Sequence, residues 1–180
     1  MGGHWGFAFH YAWNREVGAS AAREPVRGSV GPGIFVSACD FPTITANTLG
    51  GNGVGISLSN VLSATISEND ASGNGIGMAT VAPDGLPSTG TVSHNIFNGN
   101  TSIGLRMFIA KLIVLNNVTN GNGLDGIHVE FSGPVTGANE VINNTSLANG
   151  MNDLFDGVPG CTGNVWSGNT FLTANQSCIH

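Results

Sequence analysis

With 180 residues, 41% of them hydrophobic, the chain is long enough to bury a core and most simply does so as one domain. Five Lys and Arg against eleven Asp and Glu, a net charge of −6 and no basic cluster make a poor phosphate binder, so neither nucleic acid nor anionic membrane is an expected partner. No apolar run reaches the roughly 18 residues of a spanning helix, which argues against membrane insertion.

The first stretch, MGGHWGFAFHYAWNRE, alternates Trp5, Phe7, Phe9, Tyr11 and Trp13 with small or polar residues, as a strand with one aromatic face would. It lacks the cationic start and uninterrupted aliphatic segment of a signal peptide, so export is signalled elsewhere or the chain is a fragment. Residues 14–32, with AAREPVRGSVGPG, read as irregular connection with at most one helical turn. Residues 1–32 together are expected to be a non-repetitive N-terminal cap or the remnant of a preceding coil, since an open solenoid end must be covered.

From Gly33-Ile34-Phe35-Val36 onward a repeat takes over, best aligned on Asn47, Asn69, Asn95, Asn117, Asn144 and Asn169, which are 22, 26, 22, 27 and 25 residues apart. Three positions before each stands an apolar residue: Ile44, Ile66, Val92, Val114, Val141 and Trp166. Five positions after the first five comes a second asparagine, Asn52, Asn74, Asn100, Asn122 or Asn149; the last unit needs one more residue to reach Asn175. Alternating triplets follow, Ile56-Ser57-Leu58, Leu105-Arg106-Met107 and Ile127-His128-Val129, which place one set of side chains inward and the other in solvent.

No single unit can bury its own apolar side, so the units must stack, each strand pairing with its equivalent about 4.8 Å away. Stacking also accounts for the asparagines, because a buried amide is costly unless paired, and identical amides one rung apart can donate and accept along a ladder. Asn and Gly are further expected to supply the left-handed backbone of tight corners.

A unit of about 22 residues with Asn at a bend and the pattern N-G-x-x-G-apolar resembles the right-handed parallel β-helix repeat of the pectate-lyase-like superfamily. The tail DLFDGVPGCTGNVWSGNTFLTANQSCI resembles the closing coil of bacterial β-helix repeat proteins. The resemblance implies an all-β, right-handed parallel β-helix of about six coils of 22–27 residues over 33–180. It implies little about activity, because that fold carries lyases, hydrolases, epimerases and non-catalytic adhesins. Gly121, Gly123 and Gly126 spell G-x-G-x-x-G, but an alternating strand follows them where a dinucleotide site needs a helix.

Superimposing coils predicts an outward column Ser57, Ala79, Arg106, His128 and Phe155, with Ser59, Val81, Phe108 and Glu130 two residues further along. Arg106, Phe108, His128 and Glu130 then share one face, and Phe155 continues it. Beside that face the repeat lengthens twice at one corner, VAPDGLPSTG (81–90) and FSGPVTGA (131–138). A groove of Arg, His and aromatic side chains suits an acidic polysaccharide or cell-surface glycan: guanidinium grips carboxylate, rings stack on sugars and His moves protons near neutral pH. Arg106, His128 and Glu130 are also the weak catalytic candidates, for a polysaccharide lyase, epimerase or glycoside hydrolase. No complete catalytic motif of those enzymes is visible, and Lys111, a possible partner of Arg106, lies past the strand. The rival reading is a non-catalytic structural or adhesive solenoid.

Cys39, Cys161 and Cys178 fit no metal-ligand spacing. Cys161 and Cys178 either pair, as suits an oxidising compartment and an extracellular or cell-surface protein, or remain separate buried thiols; Cys39 reads as a small buried hydrophobe. No cofactor or metal site is expected, with one exception: NGNGLDGIH (120–128) is close to the calcium nonapeptide, though it stands alone. Asp153 and Asp156 read as polar corner residues. Thr43-Ile44-Thr45, Thr65-Ile66-Ser67 and Thr91-Val92-Ser93 would stack as a hydroxyl face over three coils, a pattern that ice binding would use and that later coils break.

Overall fold

The computed structural model describes residues 8–10, 16–18, 20–22, 25–131 and 138–180, with the strands Ala8–His10 and Glu16–Val17 described through their backbone pairing. Two seven-stranded sheets run the length of the molecule, and every pairing in them is parallel. The first contains Ala8–His10, Pro32–Ser37, Val54–Ser59, Ile76–Val81, Leu105–Met107, Ile127–Val129 and Leu154–Asp156. The second contains Ser20–Ala22, Thr43–Thr45, Ala64–Ser67, Ser88–Ser93, Ala110–Leu115, Glu140–Ile142 and Val165–Ser167. A third column is made of single parallel bridges, Thr48 to Asp70, Ile96, Val118, Thr145 and Thr170 in turn. The chain visits the three in fixed order, so each circuit is one coil of a parallel β-helix.

Stacking follows the register that the repeat implies. Ile44, Ile66, Val92, Val114, Val141 and Trp166 are successive partners, all buried. On the first sheet Ile34, Ile56, Met78, Leu105, Ile127 and Leu154 do the same, each almost wholly excluded from water. Burying one such side chain contributes about 1.5–3 kcal/mol, which a lone coil could not collect. Cys39 belongs to this core.

Both asparagine columns form ladders. From Asn47 to Asn169 each Nδ2 donates to the Oδ1 of the next rung over 2.8, 2.9, 3.0, 3.0 and 3.1 Å. Each backbone N–H donates to the same oxygen. The second ladder climbs from Asn52 to Asn149, but Asn175 is not its last rung. Asn149 donates to Asp153 Oδ1 instead, and Asn175 bonds the backbone of Asp156.

Asn and Gly supply most of the left-handed corners, as expected, with Ala46, Glu68, His94 and Ala148 the exceptions. The left-handed residue stands before each ladder asparagine: Ala46, Glu68, His94, Asn116, Asn143 and Gly168 in one column, Gly51, Gly73, Gly99, Gly121 and Ala148 in the other. The second glycine of the motif instead makes room. A Cβ on Gly77 would stand 2.5 Å from Gly104 O and 2.9 Å from Asn100 Nδ2, and one on Gly104 would stand 2.6 Å from Gly126 O and 2.8 Å from Asn122 Nδ2. Glycine recurs there because the ladder runs against the strand.

The described part of residues 14–32 is not an irregular connection. Their described parts include Glu16–Val17, Ser20–Ala22 and Pro25–Arg27, paired in parallel with Cys39–Asp40, Thr43–Thr45 and Thr48–Gly50. The aromatic face expected of Trp5, Phe7, Phe9, Tyr11 and Trp13 lies outside the described residues, apart from the backbone of Ala8–His10, which pairs with Ile34–Val36.

At the far end, Asp153 and Asp156, read as polar corner residues, are buried, at 2% and 0% exposure. Asp156 occupies the inward position above Val129; its Oδ2 accepts Trp166 Nε1 at 2.8 Å and Asn164 Nδ2 at 2.9 Å, and its Oδ1 accepts Val158 N at 2.8 Å. Three donors on its two oxygens offset the cost of burying this polar side chain. A 3₁₀ turn, Pro159–Cys161, and the disulfide Cys161–Cys178, with Cα atoms 6.0 Å apart, close this end.

Candidate functional site

The outward column of the first sheet is Phe35, Ser57, Ala79, Arg106, His128 and Phe155, each the register partner of the next. Strand alternation turns Arg106 and His128 outward because Leu105, Met107, Ile127 and Val129 take the inward positions. Beyond the strand, Phe108 is fixed by the inward Thr80 of the preceding coil: the Phe108 N–H donates to Thr80 Oγ1 at 2.8 Å, and that hydroxyl donates back to Phe108 O at 3.0 Å. Glu130 is fixed one coil later by its N–H to Met107 O, 2.9 Å.

These side chains form two linked pairs. Arg106 Nε and one terminal nitrogen both donate to Glu130 Oε2, at 2.7 and 2.5 Å. Among the described residues, Oε1 and the remaining guanidinium nitrogen have no partner. His128 Nδ1 lies 2.8 Å from Asp125 Oδ2, and its ring stacks on Phe155 with centroids 4.3 Å apart and planes 18° from parallel. Asp125 Oδ1 accepts both Asn152 N and Asn152 Nδ2, at 3.0 and 2.9 Å. Burial pushes the Asp125 carboxyl up, but the bonds from His128 and Asn152 outweigh it and hold the group below the ordinary aspartate range. A carboxylate on Nδ1 fixes the imidazole and leaves Nε2 as the ring nitrogen able to bond elsewhere.

All five side chains singled out in the sequence, Arg106, Phe108, His128, Glu130 and Phe155, are therefore neighbours. Asp125 and Asn152 are the members that sequence reasoning missed. The signal was present in Asp125-Gly126-Ile127-His128, where a corner residue three positions before an outward His can turn back to it. Within 120–128, both Asp125 oxygens are committed to protein groups. Lys111 is no partner for Arg106: the left-handed corner at Ile109 separates them, and Lys111 belongs to the second sheet.

The lengthened corner at 81–88 joins the first sheet to the second, and Asn60 Nδ2 to Asp84 Oδ2, 3.0 Å, ties it down. The second lengthening leaves from the same corner, between Ile127–Val129 and Glu140–Ile142; its residues 132–137 lie outside the described ones.

Residues 24–146, more than half of the chain, match the family described as the right handed beta helix region. The chain belongs to the right-handed β-helix family. The matched region of this right-handed β-helix contains Arg106, Asp125, His128 and Glu130, and ends before Phe155 and the disulfide. No curated protein and no solved structure matches the chain.

Proposed function

We propose that this β-helix is an extracellular or cell-surface protein that binds polysaccharide along the outward face of its first sheet, at Arg106, Phe108, His128, Glu130 and Phe155. The observation that carries the reading is the Arg106–Glu130 pair. Two guanidinium nitrogens share one carboxylate oxygen, so an open donor and an open acceptor stand side by side, the pattern that two adjacent sugar hydroxyls complete. Phe155, stacked on His128, and Phe108, two residues beyond Arg106, are half-buried and add apolar surface to this face, which sugar ring faces need. Because Glu130 already balances Arg106, hydroxyl recognition dominates over capture of carboxylates on this face. The disulfide supports residence in an oxidising compartment.

The test is binding of the whole protein to a panel of neutral and acidic polysaccharides. Arg106→Ala and His128→Ala should each weaken the polymer that wild type retains by about tenfold, the worth of one charge-assisted contact. Unchanged affinity in both would remove this face. A second reading, a structural or adhesive solenoid without catalysis, is favoured by the way Arg106 is paired with Glu130 and His128 with Asp125 within the protein itself. Release of ultraviolet-absorbing unsaturated uronate from any acidic polymer would defeat it.

A further inference from the structure

The second sheet carries its own hollow. Its outward residues stack as Thr43, Thr65 and Thr91 in one column and Thr45, Ser67 and Ser93 in the next, so the hydroxyl columns read from the sequence exist. They do not make a flat lattice. Ser63 is left-handed, with φ 54°, while Gly90, with φ 146°, lies so close to the Ala64 backbone that no Cβ would fit. Between them opens a shallow groove of about 340 Å³, lined by Ser63, Thr65, Thr89, Thr91, Lys111 and Ile113. That volume is at the lower edge of small-ligand sites.

We propose that this groove is an oxyanion site, distinct from the face of the first sheet, which takes the carboxylate or sulfate of an acidic oligosaccharide on Lys111 and Thr89. Three observations support it. Among the described residues no carboxylate pairs with Lys111, although the protein carries a net charge of −6. A cation left without a counter-ion in an acidic protein is complementary to an anionic ligand. Thr89, the register partner of Lys111, accepts the Ser63 N–H on its Oγ1 at 2.8 Å, so its own hydroxyl hydrogen is available to donate outward. Finally, the hydroxyls of Ser63, Thr65 and Thr91 continue the rim, matching a polyhydroxylated ligand better than a bare ion.

The experiment is a titration of the intact protein, followed by nuclear magnetic resonance of threonine methyls and backbone amides. The probes are tetragalacturonate as the carboxylate arm, a sulfated chondroitin tetrasaccharide as the sulfate arm and cellotetraose as the neutral control. One or both acidic probes should shift Thr65, Thr89, Thr91 and Lys111 at low salt, and cellotetraose should not. Lys111→Gln, an exposed substitution, should weaken the acidic probe about tenfold and flatten its salt dependence; Lys111→Arg should restore most of the affinity. The shifts should centre on Thr89 and Lys111 rather than on His128, which separates the groove from the first-sheet face. The assignment is overturned by shifts confined to the surroundings of His128, by an unaltered titration in Lys111→Gln, or by no shift at millimolar probe.

Discussion

Asn149 donates twice to one oxygen of Asp153, from its backbone nitrogen at 3.1 Å and from its side-chain amide at 2.9 Å, so an asparagine ladder ends on a carboxylate. The other oxygen accepts the N–H groups of Leu172 and Thr173, at 2.9 and 3.1 Å. Burial pushes the Asp153 carboxyl up, yet these bonds hold it below the ordinary aspartate range. Its stabilising contribution is therefore present above the unfolded-state value, about 3.9, and is lost as the pH falls through the lower folded value. Denaturant unfolding at a series of pH values should show wild type losing stability below about pH 4. Asp153→Asn should flatten part of that slope. At neutral pH it should cost about 1.5–3 kcal/mol, because an amide NH2 would face N–H donors. An acid limb as steep in the variant as in wild type would contradict the assignment.

A middle rung has more to lose than a terminal one. Asn95 Nδ2 serves Asn117 Oδ1 and Ile66 O, while its Oδ1 takes both donors of Asn69; the residue is fully buried. Replacing it with Ala strands those donors and should lower stability by about 2–4 kcal/mol. Asn169, half-buried at the last rung, should cost less than half as much. Chemical denaturation curves of both variants decide it, and equal losses would argue against cooperation along the ladder.

Ala148 is left-handed at φ 58° where the four preceding coils carry Gly51, Gly73, Gly99 and Gly121. A left-handed Ala stores about 1 kcal/mol of strain. Ala148→Gly should therefore raise the melting temperature by a few degrees, after the greater unfolded-state entropy of Gly is deducted. A lower melting temperature would mean that the methyl group packs usefully.

The disulfide spans 17 residues, a loop for which chain entropy gives about 3 kcal/mol. In a solenoid that loss stays local. Hydrogen exchange in a Cys161→Ala, Cys178→Ala variant should accelerate over 154–180, while the strands Ala64–Ser67 and Ser88–Ser93 keep their protection. Uniform acceleration would mean the coils unfold as one unit.

The coils were legible because period and chemistry agree: Val92, Val114 and Val141 are apolar at one place and Asn95, Asn117 and Asn144 polar at another, so one alignment satisfies both. The outward column of Arg106, His128 and Phe155 follows from the same alignment without further assumptions. What happens within a rung was less legible. Asp125 turning back to His128 depends on a corner that no spacing specifies, and Asp153 replacing Asn175 depends on a carboxylate accepting as an amide oxygen does. The groove at Lys111 escaped notice because it arises where Gly90 approaches Ala64, a matter of backbone proximity. Residues 14–32 misled because their short strands lack the asparagine that marks the later coils.

From Asn69 to Asn144 each side-chain amide gives one hydrogen to the next rung and accepts one from the rung behind, so the column has a direction, like a queue facing one way. An interior unit such as 117–143 could be duplicated in place without changing what its neighbours offer. Nothing could join the second queue beyond Asp153, which receives and has nothing to pass on. The chemistry of one side chain thus sets how many turns that column can count.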